Sequence, residues 1–371
     1  MNTNKLISYI QLINTTGVGP VLFKKILARY GDVDDALSVL SQKRTIFPRA
    51  KAEEELMTAE IKHVKIITIE DDLYPYNLKQ IEDYPPILYA LGDINLLKNN
   101  NLLAIVGSRN ASLSAQKLAR QVAYDLAKQN IVIVSGMARG IDAAAHAGAL
   151  SANGNTIAVL GTGIDIVYPK ENQTLYNQLS KEGLILSEYP MHTGPQAQNF
   201  PRRNRIVSGL SKGTLVVEAD IRSGSLITAH QALEQGRDVY AAPGAPYDSR
   251  SAGCNKLIKE GAILVETAED VMENFNFTQV DFEPRKIKKL ETPDLFEYSL
   301  DNHKNNNDSS ENYDSHAKLL SLISDSGEDI DELIRVSGLS TEEVLTMIVE
   351  MELDDKIIRL PGNRVAKAQR G

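Results

Sequence analysis

Gly107-Ser108-Arg109, Ser135-Gly136-Met137-Ala138-Arg139-Gly140 and Gly161-Thr162-Gly163 are short runs of small residues, two of them carrying an arginine. Small residues let a backbone approach an anion closely, and a neighbouring arginine adds charge and forked donors. Tyr168-Pro169-Lys170 sets a cation beside an aromatic ring. No acidic residue lies from Tyr189 to Val217, whereas Arg202, Arg203, Arg205 and Lys212 do, with Phe200 and Asn204 among them. Together these residues have the chemistry of a phosphate-binding edge. The chain has no tryptophan, so Tyr168 and Phe200 are the aromatic rings available beside it, either to stack on a base or to pack.

Catalytic chemistry has fewer candidates. His146 lies in an alanine-rich run, Asp142-Ala143-Ala144-Ala145-His146-Ala147, that suits close packing of a helix on a sheet, and it reads as structural. Ser223-Gly224-Ser225 lacks the G-x-S-x-G context of a nucleophile turn and reads as the cap of a helix beginning near Leu226. Glu218 and Asp220 end an apolar run and are the best-placed carboxylates for acid–base work or a metal, against a hydrogen-bonding role. Cys254 is the only cysteine, which excludes an intramolecular disulfide and a cysteine-rich zinc site. Neither G-x-G-x-x-G nor G-x-x-x-x-G-K-[ST] occurs, so no nucleotide cofactor is expected.

The elements that must position these residues follow from the apolar pattern. Near-continuous apolar runs at 103–106, 131–134, 157–160, 184–187, 215–218, 239–242 and 262–265 alternate with helical stretches at 113–129, 141–151, 171–180, 202–210, 225–235 and 253–260. Apolar strands separated by helices are what a parallel sheet covered on both faces requires. The expected core, 63–275, is therefore a Rossmann-like, doubly wound α/β domain with a mostly parallel sheet. In such a sheet ligands bind at the carboxyl ends of the strands. The Gly-Ser-Arg, Ser-Gly and Gly-Thr-Gly runs all fall there.

Residues 1–62 read as a small helical domain with Leu6, Ile10 and Ile13 on one face and a turn at Gly17-Val18-Gly19-Pro20. That turn resembles half of a helix-hairpin-helix, and a phosphate contact and a purely structural turn both remain open. Residues 276–316 read as a linker, disordered at 301–316, where Tyr313 is the one residue of appreciable apolar bulk. Beyond it, 317–371 show three helical runs followed by two short strands around Pro361-Gly362-Asn363, the order of a winged helix.

Hydrophobic residues are 42% and charged residues 24% of the 371, as in soluble globular chains. The net charge of −9 argues against coating nucleic acid through overall charge, so any such site must be a local basic patch. No run approaches the roughly 18 apolar residues that span a bilayer, and MNTNKLISYIQLINTT lacks the pattern of a secretion signal. No membrane association and a cytoplasmic location are expected.

At this point a resemblance becomes legible. AIVGSRNAS at 104–112, VSGMARGIDAAAHAGAL at 134–150, IAVLGTGIDIVYPKEN at 157–172, SEYP at 187–190, NFPRRNRIVSGLS at 199–211, VVEADIRSGSLITA at 216–229 and APGAPYDSRSAGCNKLIKEGA at 242–262 resemble, in order and spacing, the core of the DNA-processing protein A (DprA/Smf) family. YPYNLKQIEDYPPILYALG from Tyr74 is similar to the segment leading into that core. The match covers about 70–265.

The resemblance implies a protein that binds single-stranded DNA, usually as a homodimer, and promotes loading of RecA recombinase in natural transformation and recombination, with no catalytic activity, cofactor or metal. It also implies that Arg109 and Lys170 contribute to the DNA pocket and that the Asn-Phe-Pro-x-Arg-Asn-Arg arginines fall at Arg203 and Arg205, with Arg202 adjacent. The expected nucleic-acid-binding set is thus Gly107, Ser108, Arg109, Arg139, Gly161, Thr162, Tyr168, Lys170, Phe200, Arg202, Arg203, Asn204 and Arg205. The competing class is an enzyme, a lysine-decarboxylase-like nucleotide N-glycosidase. That group carries P-G-G-x-G-T-x-x-E, whereas this chain has Pro243-Gly244-Ala245-Pro246. A transcription factor built on the tail is weaker still, because Glu342, Glu343, Glu350 and Glu352 make its third helix too acidic to read DNA.

Overall fold

The computed structural model describes residues 3–277, 311–353, 356–360 and 362–368. Four helices come first: α1 (Thr3–Asn14), α2 (Pro20–Tyr30), α3 (Val33–Ser41) and α4 (Arg49–Ile61). Pro20 opens α2, where its missing N–H costs no helical bond, and the Asp32 side chain caps α3 by accepting from Asp34 N. Tyr9, Ile10, Leu12, Phe23 and Val33 close a small apolar interior between these helices.

Nine strands, β1 (Lys65–Thr68), β2 (Ile87–Gly92), β3 (Leu102–Gly107), β4 (Val132–Ser135), β5 (Thr156–Leu160), β6 (Leu184–Ser187), β7 (Gly213–Glu218), β8 (Asp238–Ala241) and β9 (Ile263–Leu264), pair in the order β1-β2-β6-β5-β4-β3-β7-β8-β9. From β6 to β9 every pairing is parallel, whereas β1 and β2 run antiparallel at one edge. Those two strands escape a reading based on alternation with helices, since they precede the βαβ pattern. Helices α5 (Tyr76–Lys79), α6 (Leu113–Lys128), α7 (Ile141–Ser151), α8 (Gln173–Glu182), α9 (Asn199–Leu210), α10 (Gly224–Glu234), α11 (Ala252–Lys259) and α12 (Ala268–Asn274) complete the core. Leu103 and Ile105 of β3 pack with Val122 and Leu126 of α6, while Leu102, Ala104 and Val106 belong to the opposite apolar layer. The strand is apolar throughout because both faces are covered.

From β3 the chain steps through β4 and β5 to β6, then returns across the sheet to place β7 on the other side of β3. The loops leaving β3 and β7 therefore diverge, and a crevice opens between them, as at the switch point of other doubly wound sheets.

The tail comprises α13 (Glu311–Leu322), β10 (Glu328–Asp329), α14 (Ile330–Ser337), α15 (Thr341–Leu353), β11 (Ile357–Leu360) and β12 (Arg364–Lys367), its strands ordered β10-β12-β11. This is a winged helix. It sits against the core: Leu113, the first residue of α6, is buried among Leu319, Leu333 and Met347, and Arg250 Nη1 donates to Ile323 O at 3.0 Å. Of the segment expected to be disordered, 301–310 lies outside the described residues, and 311–316 instead form the first turns of α13. Apolar content alone does not register a helix that begins ahead of its apolar stripe.

His146 is fully buried on α7. Thr156 Oγ1 donates to Ile133 O at 2.7 Å, so at 2.7 Å from His146 it must accept the proton of Nδ1. Burial pushes the imidazole down to about 3, with the charge of Arg203 acting the same way. The folded ring thus stays neutral while the unfolded one takes a proton below 6.5, and stability falls as pH drops through that window. We expect His146→Asn, which keeps a donor for Thr156 and does not titrate, to flatten the acid limb of stability between pH 6.5 and 3 by up to about 1.4 kcal/mol per unit. Equal slopes in urea unfolding would remove His146 as a cause.

Candidate nucleic-acid interface

A cleft of about 710 Å³ opens at the switch point, between the β3, β4 and β7 loops on one side and the first turns of α9 and α10 on the other. Its floor is built by close approaches. Gly140 has φ +72, and a Cβ there would stand 2.3 Å from Ser108 O, so only glycine lets the β4 loop lie against the β3 loop. Ile141 N donates to Ser108 O at 3.2 Å across that contact, and Ser108 N donates to Glu218 O at 2.7 Å.

Arg109 is exposed and its guanidinium carbon lies 5.2 Å from the centre of the Phe200 ring. Tyr168 approaches the same ring, with centroids 5.4 Å apart and planes inclined by 40°. Phe200 rests on Gly161, where a Cβ would come within 2.8 Å of the ring. Arg109, Phe200 and Tyr168 all line the cleft. A helix beginning at Arg202 would have left Phe200 on a loop; instead α9 starts at Asn199, and Pro201 sits in its first turn without cost to the helix.

Lys170 is exposed beside the cleft, in a short turn at 170–172 that is tied to the β4 loop. Asn172 Nδ2 donates to Met137 O at 2.9 Å, and Arg139 stands 3.8 Å from Glu171. The fold thus sets Arg109, Tyr168 and Phe200 on the cleft lining, with the exposed Arg139 and Lys170 within two residues of the lining residues Ala138 and Tyr168. Gly107 and Ser108 are half-buried within it, and Asn204 lines the cleft while its amide points to Gly224 O at 3.4 Å.

Of the remaining expected members, Arg203 alone lines the cleft. Arg202 is exposed on α9 and does not line the cleft. Thr162 is buried and its hydroxyl donates to Ile166 O at 2.8 Å; Gly161 is covered by Phe200. Arg205 is 6% exposed, forks onto Glu188 at 2.8 and 2.7 Å, and lies 3.0 Å from Asp83. Its donors are committed inside the protein, which corrects the expectation that it meets a ligand. Arg203 is 4% exposed and donates to Gly136 O at 2.6 Å and to Val159 O. Burial pushes its pKa below the usual arginine value and raises that of the neighbouring Asp142 carboxyl, which accepts from Gly136 N and Ala138 N at 3.0 and 3.3 Å. Arg203 is therefore a framework beneath the cleft and not a free arm above it.

Arg222 belongs to the site and was not expected. It is exposed, lines the same cleft as Arg109, and is held by an Asp220 turn in which Asp220 Oδ1 accepts from Arg222 N at 2.8 Å. It lies just two positions beyond the strand-end run Glu218-Ala219-Asp220. Glu218 is buried, its carboxyl raised by that burial, and it accepts from Ser112 Oγ at 2.6 Å and Ser112 N at 3.2 Å. Both candidate carboxylates thus brace loops. Ser223 caps α10 as read from its sequence. Among the described residues no group of three His, Cys, Asp or Glu side chains could hold a metal ion.

Residues 65–276 match the family described as DNA recombination-mediator protein A. The chain belongs to that family. Residues 3–58 match the DprA-like N-terminal HHH domain and 306–363 the DprA winged helix domain. The chain is 38% identical over 326 residues to Protein Smf of Escherichia coli, a match covering 88% of this chain and 83% of that protein. It is 46% identical over 221 residues to DNA processing protein DprA of Streptococcus pneumoniae, over 60% and 78% of the two chains. The X-ray structure of DNA processing protein A from Streptococcus pneumoniae superposes with a TM-score of 0.63 at 39% identity, covering 75% of this chain and 99% of that one. DNA processing protein A from Helicobacter pylori, solved for its single-stranded DNA binding mode, matches with a TM-score of 0.52 at 30% identity over 58% and 99%.

Removing one partner of a buried ion pair strands the other, so Arg205→Ala should lower unfolding free energy by about 3–5 kcal/mol. Arg202→Ala, three residues earlier and exposed, should change it by no more than about 0.5 kcal/mol. Urea denaturation separates the two roles. A small effect of Arg205→Ala would mean that its ion pairs are not structural.

Proposed function

We propose that this chain binds single-stranded DNA in the switch-point cleft and delivers the strand to RecA recombinase during transformation and homologous recombination, working as a homodimer and without catalysis of its own. The observation that carries the reading is the group of Arg109, Phe200 and Tyr168 at the cleft, flanked by Arg139, Lys170 and Arg222. Cations match the phosphates of one strand, and two rings offer stacking surface to its bases. In a duplex the bases face one another inside the helix, so Phe200 and Tyr168 can stack only on unpaired ones. Phosphate and ring contacts carry no base code, and sequence preference is weak. With a net charge of −9 the chain has no general positive field to hold DNA, so binding rests on local basic patches. RecA as recipient and a second copy as partner rest on the family, whose description is a recombination mediator.

Burial of Glu218 and its commitment to Ser112 speak against an N-glycosidase that would use this glutamate to activate water. Incubation with nucleoside monophosphates should release no free base.

In gel shifts at equal salt the chain should bind oligo-dT more tightly than duplex of the same length. Arg109→Ala with Lys170→Ala should weaken binding across sequences and reduce the log–log salt slope by about 0.7 per lost phosphate contact. Both side chains are exposed, so folding should be nearly unchanged. The reading fails if the folded double variant keeps the wild-type affinity and slope.

A further inference from the structure

Residues 1–62 carry nine Lys and Arg against seven Asp and Glu, in a chain of net charge −9. Within them no acidic residue occurs from Met1 to Gly31 or from Ala36 to Ala52. These two acid-free spans meet in space. A second cleft, of about 530 Å³, lies between the end of α1, at Asn14 and Thr16, and the 43–48 segment that joins α3 to α4. The segment is pinned to α1 from within: Phe47 N donates to Thr15 Oγ1 at 3.0 Å, and Gln11 Nε2 donates to Phe47 O at 2.9 Å. That leaves Lys43, Arg44 and Thr45 exposed at the mouth.

Among the described residues Lys43 and Arg44 make no ion pair, whereas Arg49 and Lys62 of the same domain are paired with Glu53 and Asp165. Thr16 and Thr45 add hydroxyl donors. Beside Thr16, a Cβ at Gly17 or Gly19 would meet nothing within 4 Å, so the backbone there is open to a ligand. Two unpaired cations, two hydroxyls and an accessible backbone suit a phosphodiester; a cleft without carboxylates does not suit a metal.

The position is as informative as the chemistry. Helix α4 begins at the cleft, with Pro48 as its cap, and ends where Lys62 Nζ lies 2.9 Å from Asp165, in the loop that carries Tyr168. Midway, Glu55 accepts from Met191 N at 2.7 Å, which lashes the helix to the sheet. Thirteen residues of helix span about 20 Å, roughly six base steps at 3.4 Å each. We propose that the 43–48 cleft is a second phosphate site, holding the backbone of the same nucleic acid after it leaves the core cleft. The proposal rests on the single-strand reading of the core. The backbone held there is either the continuing single strand or a duplex adjoining it.

The test compares the full chain with its Lys43→Ala/Arg44→Ala variant on three probes: oligo-dT of about six nucleotides, which fills only the core, oligo-dT of about thirty, and a duplex bearing a short single-stranded tail. The short probe should bind both proteins equally. On the long strand the variant should lose affinity and about 1.4 in salt slope, or on the tailed duplex about 1.8, and whichever probe shows the loss identifies the backbone held. Equal binding of all three probes, or equal loss on all three, would overturn the second site while leaving the core reading intact. Failure of the wild-type chain to bind the short probe would instead overturn the core reading. An unchanged melting temperature confirms that both proteins are folded.

Discussion

The guanidinium of Arg203 bridges the carbonyl oxygens of Gly136 and Val159, at the carboxyl ends of two neighbouring strands, almost wholly out of water. A buried cation is costly unless every donor finds an acceptor, and this one is met by two carbonyls and by the nearby negative charge of Asp142. A Cβ at position 136 would stand 2.4 Å from the guanidinium, so a larger residue there would displace Arg203 from its carbonyls. Asp142 in turn holds the amides of Gly136 and Ala138, so the loop carrying Arg139 is fixed from beneath before any ligand arrives. The same buried charge acts on Arg109 and adds to the positive potential of the cleft that it lines. Preorganisation of this kind limits what binding must spend on ordering loops.

That constraint explains why the arginine cluster was only partly legible in the sequence. Residue type and the acid-free span from Tyr189 to Val217 locate a basic segment, but they do not show which way each side chain points. Successive residues of a helix are turned by about 100°. On α9 Arg203 and Arg205 are therefore turned about 200° from each other and are buried against different neighbours, Arg203 on Gly136 and Val159 and Arg205 on Glu188 and Asp83, while Arg202 between them in direction stays in solvent. The acceptors that hold them are remote, Gly136 being 67 and Glu188 17 positions away, and no local pattern announces such partners. Arg109, Arg139 and Lys170 were legible for the opposite reason. Each follows an apolar strand at the carboxyl edge; Arg109 lines the cleft there, and Arg139 and Lys170 are exposed on the neighbouring loops. Arg222 obeys the same logic two residues further on.

The sheet itself was read from its parallel strands because both faces are buried and the apolar runs are unbroken. The antiparallel strands β1 and β2 lack flanking helices of the βαβ type, so periodicity had nothing to alternate with. The winged helix was read from three helical runs and a hairpin, yet its seat on the core was not. Leu113 looks like any helix-opening leucine, and only the structure shows that it is buried in the tail.

The segment from Ser108 to Lys117 consequently faces three ways. Arg109 reaches the cleft, Ser112 is bound through both N–H and hydroxyl to the buried Glu218, and Leu113 and Lys117 meet the winged helix, the latter 3.3 Å from Glu332. Ser112 lies between the cleft-facing and tail-facing residues, and it also caps α6 by accepting from Ala115 N. A carboxylate inside the core is a fixed post, because releasing it would leave an unpaired buried group. On the tail side Leu113 is buried with residues of the winged helix, while on the cleft side the loop carrying Arg109 is anchored through Ser108 N to the Glu218 carbonyl. One residue, Glu218, thus holds the cleft side with its backbone and the tail side with its side chain.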